Sequence, residues 1–295
     1  MRLVLTLVAR DHDGLQQALP EALEAVAGTG RTIVDTHMLG EGATDIFVDG
    51  ADLAALRARA VRALERCEAD ICVQPAERRR KRLLVADMDS TIIGFECLDE
   101  LADFAGLKAE IAAITERAMA GELPFEAALI ERVGRLKGLG LDALRQTYEA
   151  RVRLNPGAAT LARTMAAHGA RCVLVSGGFE FFTSRVAAAA GFDAHRANRL
   201  IDDGVRLTGE VGMPILGREA KLAALTAEAE RLGAGLDETL AVGDGANDLA
   251  MIEAAGLGVA YRAKPIVAAR ADARVDHTDL TSLLYFQGYG ADQFA

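Results

Sequence analysis

Leu83-Leu84-Val85-Ala86-Asp87-Met88-Asp89-Ser90-Thr91 is an apolar run that ends abruptly in two carboxylates and two hydroxyls. Consecutive apolar residues cut off by a polar turn read as a strand buried on both faces, as in a parallel sheet with helices above and below. The pattern recurs downstream in Val173-Leu174-Val175-Ser176-Gly177-Gly178 and in Leu240-Ala241-Val242-Gly243-Asp244-Gly245-Ala246-Asn247-Asp248. Open α/β sheets take ligands beyond the carboxyl ends of their strands, so the three polar stops are predicted to meet at one site.

The crossover after the first run is too long for one helix. Helical segments are predicted near 98–105, 108–120, 125–137 and 141–152, punctuated by Gly106, Gly121 to Pro124 and Gly138 to Gly140. They make a helical cap at about 95–154, inserted into an α/β domain spanning 83–295, with connections near 92–97 and 152–156. Asn198–Ile201 and Val205–Thr208 flank Asp202-Asp203-Gly204 as a β-hairpin. Upstream, strands at 3–9, 31–38, 44–49 and 69–74 and helices at 14–27 and 51–67 give a βαββαβ order, which suits a small ferredoxin-like α+β domain over residues 1–76. Arg78-Arg79-Arg80-Lys81-Arg82 then reads as a solvated linker, 77–82.

A chain of 295 residues can bury cores for two domains without disulfides or a structural metal. Its net charge of −10 repels a phosphodiester backbone, and no basic stripe interleaved with aromatics offsets it, so nucleic acid is excluded as a partner. Cys67, Cys72, Cys97 and Cys172 lack metal-site spacing and read as reduced core residues, and the short apolar start Met1–Arg10 reads as a first strand. No membrane partner and a cytoplasmic location are expected.

Asp87 and Asp89 lie one residue apart, so a turn at Asp89 lets both face one centre. A carboxylate nucleophile suits phosphoryl transfer because the acyl phosphate it forms hydrolyses readily; the second carboxylate can protonate the departing alkoxide and then deprotonate water. Asp244 adds an oxygen ligand which, with Asp87 and the backbone carbonyl near Asp89, suits octahedral Mg²⁺. Asn247 and Asp248 are predicted to share the first turn of a helix starting near Ala246, with Asn247 on the substrate side and Asp248 behind the metal ligands. Ser176, Gly177 and Gly178 can cradle a phosphate with a hydroxyl and bare amides. Lys221, in Gly217-Arg218-Glu219-Ala220-Lys221-Leu222, supplies the cation that lets two anions approach. Signatures for a P-loop, a zincin, a nucleophile elbow or a dinucleotide fold are missing from the sequence.

With these motifs in this order, residues 83–288 resemble the haloacid dehalogenase superfamily and, within it, the members that act on phosphoserine. The resemblance implies a Rossmann-like three-layer core with an inserted helical cap, Asp87 as the phosphorylated nucleophile, Asp89 as acid and base, Ser176 and Lys221 on the phosphate, and Asp244 on Mg²⁺. In the cap, Gly94-Phe95-Glu96-Cys97-Leu98-Asp99-Glu100 and the stretch from Met119 to Arg132 are similar to those enzymes. This implies Glu96 on a substrate ammonium, Arg132 on its carboxylate, and Met119 and Phe125 as an apolar wall. The expected partner is therefore a small phosphomonoester, O-phosphoserine, hydrolysed to serine at the end of serine synthesis; another small phosphomonoester, or transfer to an alcohol, is the alternative. The first 75 residues resemble ACT-type domains, with Asp11-His12-Asp13-Gly14 standing where those carry Asp-x-Pro-Gly. Aspartate replaces the proline, leaving a regulatory, structural or dimerising role, with a homodimer as the corresponding assembly.

Overall fold

The computed structural model describes residues 1–119 and 122–295. The amino-terminal unit runs β1 (Arg2–Ala9), α1 (His12–Ala27), β2 (Ile33–Gly40), β3 (Ala43–Asp49), α2 (Leu53–Ala63) and β4 (Ala69–Pro75). Its antiparallel sheet has the order β2-β3-β1-β4, the ferredoxin-like arrangement expected from the element order. Strand alternation divides the labour: Leu3, Leu5 and Leu7 pack with Leu15, Ala22 and Leu56 of α1 and α2, while Val8, Ala43 and Cys72 join the core of the rest of the chain.

The larger unit begins with β5 (Leu83–Ala86), followed by the cap helices α3 (Cys97–Phe104), α4 (Lys108–Met119), α5 (Phe125–Arg135) and α6 (Leu141–Arg151). The chain continues through α7 (Ala158–Ala167), β6 (Arg171–Phe179), α8 (Glu180–Ala190), β7 (Ala194–Asn198), the hairpin β8 (Leu200–Asp202) and β9 (Leu207–Val211), and α9 (Arg218–Leu232). It closes with β10 (Thr239–Gly243), α10 (Leu249–Ala254), β11 (Leu257–Tyr261), α11 (Pro265–Ala268), β12 (Ala273–Val275) and α12 (Ser282–Phe286). A parallel sheet of order β12-β11-β10-β5-β6-β7 runs through its middle. Leu83, Val85, Val173 and Val175 bury one face under α9 and α10, and Leu84, Ala86, Cys172 and Leu174 bury the other. The chain moves outward from β5 to β7 and then returns to place β10 on the other side of β5. The strand order reverses between β5 and β10, and this reversal opens a crevice at their carboxyl ends.

Three expectations are corrected. β7 joins the main sheet through Asn198, so the hairpin strands are Leu200–Asp202 and Leu207–Val211, beginning after that residue. Asp244 to Asp248 form a loop and α10 starts only at Leu249; Gly245 and the Asp248 side chain close that loop on itself before a helix can begin. The segment 77–82 is only partly solvated: Glu77, Arg78, Arg80 and Arg82 are exposed, but Arg79 is half-buried and Lys81 buried. Arg79 reaches the fully buried Asp45 at 2.6 Å, Arg80 stacks 4.2 Å from the Tyr289 ring centre, and Lys81 donates at 2.7 Å to the Asp237 carbonyl. Asp45 also accepts from Thr6, and Gln74 donates to the Phe286 carbonyl, so the basic run and β4 seal the two units together. A run of charge reads as solvated from the sequence because every one of these partners is remote along the chain.

The cap hangs on two strands of chain that bond to each other. Ile93 and Leu154 form an antiparallel bridge, Asn155 N–H donates to the Ile92 carbonyl, and the Asn155 side chain donates to the Thr91 carbonyl. The hairpin also holds the cap: Leu141 N–H donates to the Val205 carbonyl and Gly138 N–H to that of Leu207.

Candidate active site

Register explains the convergence. Ala86 pairs with Val242 on one side and Leu174 on the other, which sets Asp87 level with Gly243 and Val175, one residue short of Asp244 and Ser176. The Asp87 amide donates to the Val242 carbonyl, so the ladder extends to the first carboxylate. The chain then turns, with Ser90 at φ 58°, and sends Asp89 in another direction.

Lys221, 2 % exposed on α9, places its Nζ 2.6 Å from Asp87 Oδ1 and 2.5 Å from Asp248 Oδ1. The second Asp248 oxygen accepts the Gly245 N–H at 3.0 Å, so this carboxylate is committed to holding the lysine and the loop. Gly243 is required there, because a Cβ would sit 2.4 Å from Asp248 Cγ. Burial opposes the charge on Lys221, but Asp87 and Asp248 outweigh it and leave the ammonium more basic than usual. Burial and then the Asp248 charge push Asp87 well above the usual carboxylate range, and the same two causes push Asp244 up to about 6.

Asp89 has both oxygens occupied: Oδ2 accepts from Ser176 Oγ at 2.9 Å, and Oδ1 from the Cys97 amide at 2.9 Å. The Ser176 hydroxyl in turn accepts the Gly178 N–H at 2.8 Å, so the glycine loop, the acid and the first residue of α3 form one network. A Cβ on Gly178 would lie 2.9 Å from Asp89 Oδ2. Burial raises the Asp89 pKa against these hydrogen bonds, which favours a carboxyl that carries a proton.

Asp87, Asp244 and Asp248 each present an oxygen within 4.8 Å of the others. Three carboxylates facing one ammonium leave excess negative charge, and an all-oxygen set with that excess fits a hard divalent cation. The Asp89 side chain stands outside this group, because Ser176 and Cys97 hold it.

The structure brings the other predicted residues to the same crevice with differing closeness. Phe125 is 41 % exposed, yet its ring lies 3.4 Å from where a Gly177 Cβ would be and 3.6 Å from that of Gly217, so the cap touches the Ser176–Gly178 loop here. Glu96 accepts from Ser90 Oγ at 2.9 Å. Surrounding protein and the Asp89 charge push it up to about 7, although its surface still reaches solvent. Arg132, half-buried on α5, donates to the Ala128 carbonyl at 3.3 Å; burial works against its charge, and Asp99 and Glu96 support it. Asn247 is half-buried in the Asp244 loop. The Met119 side chain and the adjoining Ala120 and Gly121 lie outside the described residues.

Sequence reading passes over Asn198. Its amide, 1 % exposed, donates at 2.8 Å to the Gly177 carbonyl and at 3.3 Å to that of Leu216, and its oxygen accepts the Leu216 N–H at 2.7 Å. It ties the Ser176–Gly178 loop to the segment leading into the Lys221 helix. The available signal is a lone asparagine at the end of Ala194-His195-Arg196-Ala197-Asn198, a stretch with too few apolar residues to read as a strand.

Residues 84–253 match the family model for haloacid dehalogenase-like hydrolases. Over 234 residues the chain is 42 % identical to a phosphoserine phosphatase of Archaeoglobus fulgidus, covering 79 % of this chain and 68 % of that one. The chain belongs to the haloacid dehalogenase-like hydrolases and, among them, to the phosphoserine phosphatases. A probable phosphoserine phosphatase of Schizosaccharomyces pombe is 36 % identical across 93 % of both chains, so the similarity extends over the amino-terminal unit. The solved structure of a probable phosphoserine phosphatase from Vibrio cholerae superimposes with a TM-score of 0.77 at 30 % identity, covering 99 % of this chain and 88 % of that one. The lysine-bridged carboxylates at the β5–β10 crevice lie within the matched residues 84–253.

Proposed function

We propose that the chain hydrolyses O-phospho-L-serine to L-serine and inorganic phosphate through a phosphoryl group carried on Asp87, at the end of serine biosynthesis. The observation that carries this reading is the Lys221 bridge to Asp87 and Asp248, lying under a Ser176–Gly178 cradle that Phe125 of the cap overlies.

Asp87 Oδ attacks phosphorus; the bond from phosphorus to the serine oxygen breaks, and Asp89 gives its proton to that oxygen. Water then attacks the same phosphorus, Asp89 takes the water proton, and the bond to Asp87 breaks, which returns both carboxylates to their starting states. Burial shifts Asp89 toward its protonated form, which suits the first half of this cycle. Lys221 offsets the meeting of two anions in a dry site, where such a charge acts most strongly. Ser176 and the Gly177 and Gly178 amides orient the phosphoryl oxygens. Asp87 and Asp244, with the Asp89 carbonyl, would hold Mg²⁺, which when bound supplies positive charge to the phosphoryl oxygens and favours ionised Asp87.

Glu96 and Arg132 are assigned to the substrate ammonium and carboxylate, Phe125 and Met119 to its apolar wall, and Asn247 to the substrate side of the Asp244 loop. A site built for both charges rejects substrates lacking either. Phosphate release from O-phospho-L-serine should require Mg²⁺ and cease with EDTA, and phosphoethanolamine, which lacks the carboxylate, should be turned over on the order of 10²-fold less efficiently or worse. Equal turnover of phosphoethanolamine overturns the role of Arg132; no release from phosphoserine with Mg²⁺ overturns the substrate.

Protonated Glu96 cannot pair with an ammonium, so kcat/KM should fall as pH drops through about 7. Glu96→Gln should flatten that limb and lower kcat/KM at pH 8 by about tenfold or more, the loss of one charge-assisted hydrogen bond. A pH profile of the variant with the wild-type acid limb would assign the limb to another group.

The amino-terminal unit is assigned a regulatory or dimerising ACT-type role, supported by its βαββαβ topology. Among the described residues no helix is long and apolar enough to cross a membrane. The cytoplasmic assignment is supported by four free cysteines, three of them buried.

A further inference from the structure

Asp70 belongs to β4 of the amino-terminal unit, yet its carboxylate serves the other unit. It is 4 % exposed and accepts the backbone N–H groups of Asp276 at 2.9 Å, His277 at 3.2 Å and Thr278 at 2.8 Å, and also the Thr278 hydroxyl at 2.5 Å. Successive amides converging on one carboxylate form a nest, and removing the anion leaves its donors unpaired where water has little access.

The captured loop is also the support of the cap's return connection. The Thr278 hydroxyl contacts Ser282 Oγ at the start of α12, and the Leu280 N–H donates to the Pro156 carbonyl at 3.2 Å. Gly157 lies flat against the same loop: at φ 79°, a Cβ there would come 2.6 Å from the Thr281 nitrogen. Two residues back is Asn155, which holds the Thr91 and Ile92 carbonyls immediately after the Asp87-Met88-Asp89 turn. A continuous run of hydrogen bonds and chain thus joins Asp70 to both connections of the cap.

We propose that Asp70 is a positioning residue through which the amino-terminal unit sets the hinge of the cap. The Asp70 nest fixes the height of the 276–282 loop, that loop seats Pro156 and Gly157, and the seat determines how the cap swings onto the Ser176–Gly178 cradle. In its effect on turnover the inference rests on the substrate reading above; in its effect on the hinge it does not.

The test uses the full-length protein with Asp70→Asn, which keeps the side chain's shape but turns an amide toward donors. Hydrogen exchange should quicken at Leu280, Asn155 and Ala158. Turnover should fall roughly three- to thirtyfold for O-phosphoserine, the range expected when a coupling contact is cut, while acetyl phosphate, which has no groups for Glu96 and Arg132 to hold, loses less than about twofold. Unchanged protection at Asn155 and Ala158, or equal losses on both phosphoryl donors, overturns the proposal. If Asp70→Asn does not fold, Thr278→Val, which cuts the hydroxyl bonds and spares the amides, is judged by the same two readings. If the wild-type protein releases no phosphate from phosphoserine, the substrate reading fails and the exchange result alone decides the role of Asp70.

Discussion

Replacing Asp87 by asparagine should abolish phosphate release, by at least ~10⁴-fold, because the variant cannot form the acyl phosphate and the neighbouring groups cannot replace the nucleophile. Ser176 is turned onto Asp89, and Asp248 is bound by Lys221 and Gly245, so neither is free to substitute. The variant should still fold. The carbonyl of the introduced asparagine can accept from Lys221, and one of two carboxylates crowding the lysine is gone. Acid-quenched wild-type protein incubated with ³²P-labelled substrate should carry label on Asp87, and the variant none. Residual turnover in Asp87→Asn near one-tenth of wild type would remove the covalent intermediate from the mechanism.

Lys221→Met should cost both turnover and stability. It leaves Asp87 and Asp248 facing each other in a buried site without their common cation, a kind of break that destabilises by about 3–5 kcal/mol. For a chain of this size the shift is roughly 10 °C in Tm, measured in EDTA so that no metal replaces the lost charge. The loss should depend on pH, and its sign follows from proton binding. Asp87, already raised by burial and the Asp248 charge, would hold a proton in the folded variant that it releases when unfolded, so stability falls as pH rises. The gap from wild type should therefore be wider at pH 8 than at pH 5. A variant as stable as wild type at pH 8, with turnover alone lost, would mean that the bridge is not a structural support.

The three strand ends are readable because each joins an unbroken apolar run to a sudden polar stop, a pattern that helices rarely produce. The strands beside them are less so. β7 has only two alanines as apolar residues and is half exposed at the sheet edge, so nothing in Ala194–Asn198 signals a strand, and Asn198 is read only as the start of the hairpin. β12 is three residues long. Lys221 is readable only through its order among the other motifs, since a lysine on a helix carries no sign of a buried end. Asp248 is a loop residue clamped by Gly245 and not part of a helical turn, because its own side chain closes the loop that a sequence pattern reads as a helix start. The harder failures concern partners distant in sequence. Arg79 and Lys81 look solvated until Asp45 and the Asp237 carbonyl stand beside them, and Asp70 is one acid among many until the 276–278 amides surround it.

The seam between the two units also bears on how this chain could change over generations. A recombination event that cut at residue 82 would strip Asp70 and Gln74 from their partners in one product and bare the apolar surface around α12 in the other. Neither fragment would inherit a finished exterior. A descendant that dropped the amino-terminal unit would first need new polar residues along α12 and a new anchor for the 276–278 amides. Lineages that keep Asp70 matched to the 276–278 amides should therefore keep the two units together.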